Sequence, residues 1–281
     1  MEISVIVPVH SGAKYYLDFI QAYKEARAKS SKRIELILVS NNNPNYDELE
    51  EIVIEQSFEI SHIICKRSGS YAARNKGFDY SKGRVLVFTD IDCELREDYF
   101  LELSHMGIDD KTIYSGNVLF RNNTSRVFVR ALNYVESLLF LNGEKAANKN
   151  VGFTANTVIS SSLFGLHRFS EVTSGGDIDF YKRIEDHGNN FEFNKELVVF
   201  HPYRDFQELV LKIKRVSKGL IETKRTKSIA VTLLMLLFNP WILRLRVKNN
   251  PNFILTFLLI MYFNVIFRIE TIRGLLFKQY A

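Results

Sequence analysis

The chain has 281 residues, enough for one large α/β domain or for a catalytic domain of about 220 residues with an appendage. Hydrophobic residues make up 46% and charged residues 25%, which excludes a largely disordered protein. Cys65 and Cys93 lack the spacing of a disulfide framework or a zinc site, so we expect two buried thiols in a reducing compartment. The first residues enter an apolar strand without a basic leader, so we expect no secretion.

The net charge of +5 conceals an uneven distribution along the chain. Residues 202–281 contain 14 Lys and Arg against 4 Asp and Glu, whereas residues 1–201 contain 23 against 28. The basic residues of the tail alternate with long aliphatic runs and form no polar groove. We therefore expect an anionic membrane surface, and not a nucleic acid, as the partner of the tail.

The first part of the chain alternates strands with helices. Strands are predicted at residues 3–9, 34–39, 62–66 and 84–90, and helices at residues 14–29, 47–56 and 70–83. The continuous aliphatic strands predict an α/β fold with a Rossmann-like, mostly parallel sheet and right-handed crossovers. Ligands of such sheets bind outside the carboxyl ends of the strands, which brings residues 8–12, 40–43, 67–74 and 90–92 around one crevice.

The alternation loosens after residue 115. A strand is predicted at residues 115–120, a helix near 125–142, a second helix at 177–187 that ends at Gly188, and an extended segment at 191–201. We expect residues 1–92 to form a nucleotide-binding half and residues 93–201 an acceptor half. Both halves belong to a predicted catalytic domain of residues 1–220.

Two Asp-x-Asp triplets differ in their surroundings. Asp90 and Asp92 follow an apolar strand, where carboxylates suit Mg²⁺ or Mn²⁺, and such an ion neutralises a diphosphate. Asp177 and Asp179 follow two glycines and open a helix, which leaves a carboxylate near the helix N-terminus and lets the backbone approach a ligand. The alternatives are a solvated turn for the first triplet and a helix cap for the second.

Four segments occur in an informative order. They are SVIVPVH, SYAARNKGFDYSKGRVLVFTDIDCE, GGDIDFYKRIEDHG and VVFHPYR. This ordered set resembles glycosyltransferase family 2 over residues 3–220, which implies the Rossmann-like glycosyltransferase A fold. The resemblance further implies an inverting, divalent-metal-dependent hexosyltransferase. Its donor would be a nucleoside diphosphate sugar, with a UDP-sugar expected, and its acceptor a lipid-linked or cell-surface glycan.

The resemblance implies roles for single residues. Asp177 matches the catalytic base, and Asp92 matches the acid that binds the divalent ion. Asp90 would bind the ribose or the metal, and Arg74 would face the diphosphate. His201 matches a histidine that approaches the metal or the diphosphate, with a histidine satisfied at a strand end as the alternative.

Further residues would line the two sides of the crevice. Pro8, His10, Ser40 and Asn41 are predicted on the donor side, and Asn156, Gly175, Gly176 and Asp179 on the acceptor side. Two positions depart from the family pattern. Ser40 and Asn41 begin a turn where the family has an acidic pair, and Gly176 stands where the family commonly has Glu. For Asn156, an asparagine with a purely structural role in a turn is the alternative.

The tail combines apolar stretches with basic residues. Residues 201–220 predict a basic amphipathic helix, and apolar stretches follow at about 229–243 and 252–267. As helices the stretches would be roughly 22–24 Å long, short of a hydrocarbon core of about 30 Å, so we expect neither to span a bilayer. Basic residues suited to anionic headgroups follow each stretch, namely Arg244, Arg246 and Lys248, then Arg268, Arg273 and Lys278.

We expect residues 221–281 to attach the enzyme to the cytoplasmic face of the cell membrane as a peripheral or monotopic appendage. A helical hairpin buried on the catalytic domain or in a homodimer is the alternative. Two other functions compete with glycan synthesis. A catalytically inactive membrane scaffold would not need the intact Asp90, Asp92 and Asp177, and a sugar-phosphate nucleotidyltransferase would need a glycine-rich phosphate loop that residues 8–16 lack.

Overall fold

The computed structural model describes residues 2–10, 12–56, 59–121, 125–139, 151–223, 228–237 and 250–277. Contacts between residues divide the chain into two compact units. Unit 1 comprises Met1–Phe120, Asn142–Glu171 and Gly176–Pro202, and unit 2 comprises Arg121–Leu141, Val172–Gly175 and Tyr203–Ala281. This division differs from the predicted boundary at residue 220, because the helix after residue 205 shares an apolar core with the tail.

Unit 1 begins with the predicted alternation of strands and helices. In chain order its elements are β1 (Glu2–Val9), a short 3-10 helix (Ala13–Tyr15), α1 (Tyr16–Ala28), β2 (Arg33–Ser40), α2 (Tyr46–Ile54), β3 (Ile60–Ile64), α3 (Ser70–Tyr80) and β4 (Val85–Thr89). The four strands lie in the order β3-β2-β1-β4 and run parallel. Apart from the first residues of β1 and β2, the strands β1, β2 and β4 are buried, as their aliphatic runs predict.

The chain continues with a more irregular arrangement. It forms β5 (Glu94–Leu95), α4 (Tyr99–His105), β6 (Thr112–Arg121), α5 (Val127–Leu139), β7 (Asn156–Ser160), α6 (Ser161–His167), α7 (Gly176–Asp186) and β8 (Asn190–Pro202). The described residues thus build an eight-stranded sheet in the order β3-β2-β1-β4-β7-β6-β8-β5. Strand β7 runs antiparallel to β4 and β6, and β5 runs antiparallel to β8. The sheet is therefore mixed, and its first four strands form a parallel part.

Helix α3 lies against the parallel strands because one of its residues has no side chain. A Cβ atom on Gly77 would lie 2.4 Å from Cγ2 of Ile6 and 3.1 Å from Cγ2 of Val39, so only glycine allows this approach. The close packing fixes the position of the first turns of α3. Those turns carry Tyr71 and Arg74, which are both buried.

Unit 2 is helical in its described residues. After α5 it contains α8 (Phe206–Glu222), α9 (Ile229–Leu237) and α10 (Phe253–Phe277). The predicted amphipathic helix is α8, which starts in a capping box: the Asp205 side chain accepts from the backbone of Glu208 at 2.8 Å. Its core brings together residues of three helices: Ala131, Leu132, Val135, Leu209, Ile213, Leu259, Ile260, Phe263 and Phe267.

Helix α10 is longer than the apolar stretch that predicted it. Its 25 residues extend to Phe277 and span about 37 Å, so by length and composition it is able to cross a bilayer. The expectation that neither stretch is long enough is therefore wrong for the second one. For the first stretch, the structure describes residues 229–237. The rest of that stretch and the predicted headgroup residues Arg244, Arg246, Lys248 and Lys278 lie outside the described residues.

Helix α10 buries polar as well as apolar side chains and exposes a set of apolar ones. Thr256, Asn264 and Thr271 are fully buried, whereas Ile254 is 73% exposed and Leu258 is 57% exposed. Further exposed apolar side chains on α9 and α10 are Val231, Leu233, Leu234, Met235, Phe253, Tyr262, Val265, Ile269, Leu276 and Phe277. The exposed side chains of a soluble helix are mainly polar. This outer face is apolar and is therefore suited to an apolar environment. We call these twelve side chains, including Ile254 and Leu258, the apolar face of unit 2.

Candidate active site

Two acidic side chains and one histidine meet at the carboxyl end of β4. Asp90 and Asp92 follow β4 directly, and His201 lies near the end of β8. Potential ligand atoms of these three residues and of Cys93 all lie within 4.8 Å of one another. His201 is 4% exposed, and its Nε2 lies 3.4 Å from Oδ2 of Asp92. The structure thus brings together the three residues that the sequence predicted as metal ligands.

The chemistry of this cluster fits a hard divalent ion. The Nδ1 atom of His201 lies 2.5 Å from the carbonyl oxygen of Pro202, so we assign a proton to Nδ1, and Nε2 is the ring nitrogen near Asp92. Two carboxylates and one imidazole suit Mn²⁺ or Mg²⁺. Burial raises the pKa of the Cys93 thiol well above its ordinary value, and a soft sulfur ligand suits these hard ions less well than the two carboxylates do.

Arg74 links the acidic cluster to the rest of the site. Its side chain is 2% exposed, and its Nη2 donates to Oδ1 of Asp90 in a close ion pair. Its Nε is buried and has no hydrogen-bond partner in the described part of the chain. The guanidinium also lies over the ring of Tyr71, 5.9 Å from the ring centroid. The guanidinium therefore contacts both the acidic cluster and Tyr71 on its own helix.

The predicted base, Asp177, lies in the first turn of α7. Its Oδ1 accepts from the Ile178 backbone at 2.9 Å and from the Tyr71 hydroxyl at 3.3 Å. No hydrogen bond involves its Oδ2 within the described ranges. Desolvation raises the pKa of Asp177, and the Ile178 N–H, the charge of Arg74 and the Tyr71 hydroxyl partly oppose this rise. Such a carboxyl is able to accept a proton at an accessible pH.

The second acid of this triplet has a different environment. Oδ2 of Asp179 accepts from the Ser170 hydroxyl at 2.7 Å and from Nε of Arg183 at 3.0 Å, which is an i,i+4 ion pair within α7. These bonds occupy Asp179 locally and do not bring it together with Asp177. Gly175 has a φ of 78°, a conformation that favours glycine. Gly176 is buried against the ring of Tyr71.

The predicted donor-side residues form the end of the parallel sheet. Pro8 lies in β1, and Nδ1 of His10 lies 2.7 Å from the carbonyl oxygen of Asn41. Asn41 is buried, donates to the carbonyl of Cys65 at 3.2 Å and accepts from the N–H of Gly69 at 2.8 Å. Its amide therefore supports the loop that leads into α3.

The neighbouring Ser40 takes part in a separate polar chain. Its Oγ lies 2.7 Å from Nε2 of His62, whose Nδ1 contacts the carboxylate of Glu50. The ring of Tyr46 stacks on His62 with a centroid distance of 4.5 Å. These contacts orient the Ser40 hydroxyl at the end of β2.

Asn156 lies in the interior of the sheet. Its Oδ1 accepts from the Tyr99 hydroxyl at 2.7 Å, and its Nδ2 donates to the carbonyl groups of Leu197 at 2.9 Å and Asn117 at 3.1 Å. A Cβ atom on Gly116 would lie 2.2 Å from this amide. These bonds connect β6, β7 and β8, and none of them involves Asp177. The alternative of a structural asparagine agrees with these contacts.

Sequence reasoning missed Tyr71, the residue that contacts the predicted base. Tyr71 stands three residues before Arg74 in α3, a spacing that places both side chains on one face of a helix. That spacing is the only signal in the sequence that could have identified it.

Proteins with similar sequences are glycosyltransferases. Residues 4–172 match the model of "Glycosyl transferase family 2". Glycosyltransferase AglE of Haloferax volcanii is 28% identical over 230 residues, which cover 78% of this chain and 73% of that protein. An uncharacterised glycosyltransferase of Rickettsia prowazekii, RP339, is 33% identical over 90 residues, which cover 32% of this chain and 27% of that protein.

Solved structures share the fold at low sequence identity. The mannosyltransferase PcManGT of Pyrobaculum calidifontis, solved with GDP-Man and Mn²⁺, has a TM-score of 0.64 at 13% identity, covering 99% of this chain and 87% of its own. GalNAc-T7, solved with UDP, GalNAc and Mn²⁺, has a TM-score of 0.54 at 15% identity. The match covers 78% of this chain and 47% of GalNAc-T7. The predicted glycosyltransferase A-like fold is confirmed. Because the family model matches more than half of the chain, this protein belongs to glycosyltransferase family 2 and is a glycosyltransferase.

Proposed function

We propose that this enzyme transfers a sugar with inversion from a nucleoside diphosphate sugar to a lipid-linked or cell-surface glycan acceptor, with Mn²⁺ or Mg²⁺ bound at the acidic cluster. The main support is a series of side-chain contacts that connects the acidic cluster to the predicted base, Asp177. Asp90 pairs with Arg74, Arg74 lies over Tyr71, and Tyr71 bonds to Asp177. A single displacement needs these two elements, a site for the diphosphate and one base.

The base acts on the acceptor. Asp177 Oδ2 accepts the proton of the acceptor hydroxyl while the acceptor oxygen forms a bond to the anomeric carbon. The bond between that carbon and the diphosphate oxygen breaks at the same time, and the nucleoside diphosphate leaves with the electron pair. One displacement of this kind inverts the anomeric centre and requires no second carboxylate as a nucleophile.

The leaving diphosphate would be bound by the acidic cluster and Arg74. Asp90, Asp92 and His201 would hold the divalent ion, which supplies positive charge to the departing diphosphate when bound. Arg74 adds a fixed positive charge, and its buried Nε is a donor without a partner in the described residues. A UDP-sugar is the expected donor, and GDP-mannose is the donor to test against it. Proteins of similar fold were solved with UDP and with GDP-Man.

Unit 2 supports a membrane-bound acceptor. Its apolar face has no covering partner among the described residues, and α10 is able to span a bilayer. Basic residues are concentrated in residues 202–281, which favours the anionic cytoplasmic leaflet. An enzyme held there meets a lipid-linked acceptor directly. Of the predicted headgroup residues on α10, Arg273 is exposed, whereas Arg268 is buried and donates to Asn264 at 3.2 Å.

A transfer assay with matched variants tests the proposal. The full chain in anionic vesicles is given UDP- or GDP-sugars, Mn²⁺ or Mg²⁺, and a polyprenyl-phosphate-linked glycan, and nucleoside diphosphate release is measured together with glycan mass. We expect one donor class to be used, and Asp177→Asn and Asp92→Asn to lose transfer. Asp186→Asn, an exposed position on the same helix as Asp177, is the control. Transfer that survives both substitutions would overturn the assignment.

A further inference from the structure

Tyr71 makes two hydrogen bonds to the same residue across unit 1. Its hydroxyl donates to Oδ1 of Asp177 at 3.3 Å and accepts from the backbone N–H of Asp177 at 3.2 Å. The ring is 7% exposed and packs against Phe169 with a centroid distance of 5.5 Å. The hydroxyl is therefore fixed at both the main chain and the side chain of Asp177.

The backbone beside Asp177 is shaped to receive this ring. A Cβ atom on Gly176 would lie 2.8–2.9 Å from three carbon atoms of the Tyr71 ring. Real Cβ contacts are longer than this, so the ring can reach Asp177 only because residue 176 has no side chain. Tyr71 and Gly176 thus form a complementary pair, although 105 positions separate them in the sequence.

We infer that Tyr71 is a positioning residue for the base: its hydroxyl fixes Oδ1 of Asp177 and leaves Oδ2 directed to the acceptor hydroxyl, and Gly176 is required for this contact. The inference rests on the proposed role of Asp177. It gives a role to Tyr71, which the sequence pattern did not predict. The contact lies entirely within unit 1 and uses only described residues.

The electrostatics agree with a donor role for the tyrosine. Burial and the charge of Asp177 raise the pKa of Tyr71, so its hydroxyl keeps its proton and donates. The bond in turn lowers the pKa of Asp177, as does the charge of Arg74, while desolvation raises it. Loss of the hydroxyl alone should therefore raise the pKa of Asp177 and reduce the fraction of ionised base at a given pH.

Tyr71→Phe tests the hydroxyl without removing the ring. We expect kcat to fall about 10- to 100-fold, the scale of a hydrogen bond to a charged group, with the KM for the donor unchanged. The acid limb of the pH profile of kcat/KM should move to higher pH. Tyr80→Phe, an exposed tyrosine on the same helix, is the control and should match the wild type. A kcat within twofold of wild type, or an unmoved acid limb, would refute the positioning role.

Gly176→Ala tests the other member of the pair independently of how Tyr71→Phe folds. The added methyl should lower kcat in the wild-type chain, and should cost less than half as much in ΔΔG‡ in a Tyr71→Ala background, because the clashing ring is gone. Equal losses in both backgrounds would mean that the ring does not explain Gly176. Thermal unfolding of each variant verifies that the comparison is made on folded protein.

A measurement without substrates separates this inference from the proposed function. Titration of the Asp177 carboxyl carbon by NMR in the metal-free protein reports its pKa directly. A higher pKa in Tyr71→Phe than in wild type, without any transfer by the wild type, would support the contact and reject the proposed reaction. An unchanged pKa with normal wild-type transfer would reject the contact and keep the reaction.

Discussion

Asp92→Asn is expected to abolish the dependence of donor binding on Mn²⁺. Asp90 and Asp92 carry two negative charges, of which the guanidinium of Arg74 compensates one. The substitution therefore removes the remaining net charge and keeps the side-chain shape. At an effective dielectric constant of about 20, a unit charge about 4 Å from a divalent ion interacts by roughly 8 kcal/mol before desolvation. If about a third of this energy remains after desolvation, Mn²⁺ binding is weakened about 100-fold.

Calorimetry of donor binding with and without Mn²⁺, together with Mn²⁺ electron paramagnetic resonance, measures this loss in the full chain. His201→Ala should weaken Mn²⁺ binding less, because a neutral ligand is removed, and Asp186→Asn should leave it unchanged. If Asp92→Asn binds the donor with unchanged, metal-dependent affinity, the acidic cluster is not the metal site and the reasoning fails.

Three further outcomes are expected. Asp177→Asn should bind the donor normally in calorimetry and lose at least about 100-fold in kcat. Because burial raises the pKa of Asp177, the activity of the wild type should rise as the pH increases through that raised pKa. Glu222→Ala should lower the free energy of unfolding by about 1–3 kcal/mol in urea titrations, since Glu222 accepts from the N–H and hydroxyl of Thr173 at 2.7 and 2.6 Å. Ile254→Glu should reduce liposome binding at least about tenfold by sedimentation, whereas Leu166→Glu, equally exposed in unit 1, should not.

The parallel half of the fold could be predicted because local sequence decides it. Strands β1, β2 and β4 are uniform aliphatic runs that need burial on both faces, and the segments between them are long enough for crossover helices. The rest of the sheet carries no such signal. Strand β7 is as buried as β4, and its direction depends on where the long segment after β6 returns, which periodicity does not encode. Helix α6 follows β7 directly, with the Ser160 side chain as its N-cap, and neither β7 nor this helix was predicted from the sequence.

The site was predictable where one segment carries it. Asp90, Asp92 and Arg74 belong to one motif around β4, and His201 ends the last strand. Tyr71 was not predictable as a partner of Asp177, because their contact joins distant parts of the chain. The departure at Gly176 was visible in the sequence, but its reason was not. The structure supplies a steric reason, since the Tyr71 ring occupies the space of a side chain at that position.

The length of the apolar helix in the tail was underestimated, because hydropathy does not record which side chains face outward. The predicted stretch ended at residue 267, where Arg268 and later Thr271 interrupt the apolar run. Both side chains are buried within unit 2, where Thr271 shares a hydrogen bond of 2.7 Å with Ser217. Polar groups that are satisfied inside a helical unit do not shorten the surface that the helix presents outward. The outward apolar surface of α10 therefore continues beyond residue 267 with Ile269, Leu276 and Phe277, on either side of the exposed Arg273.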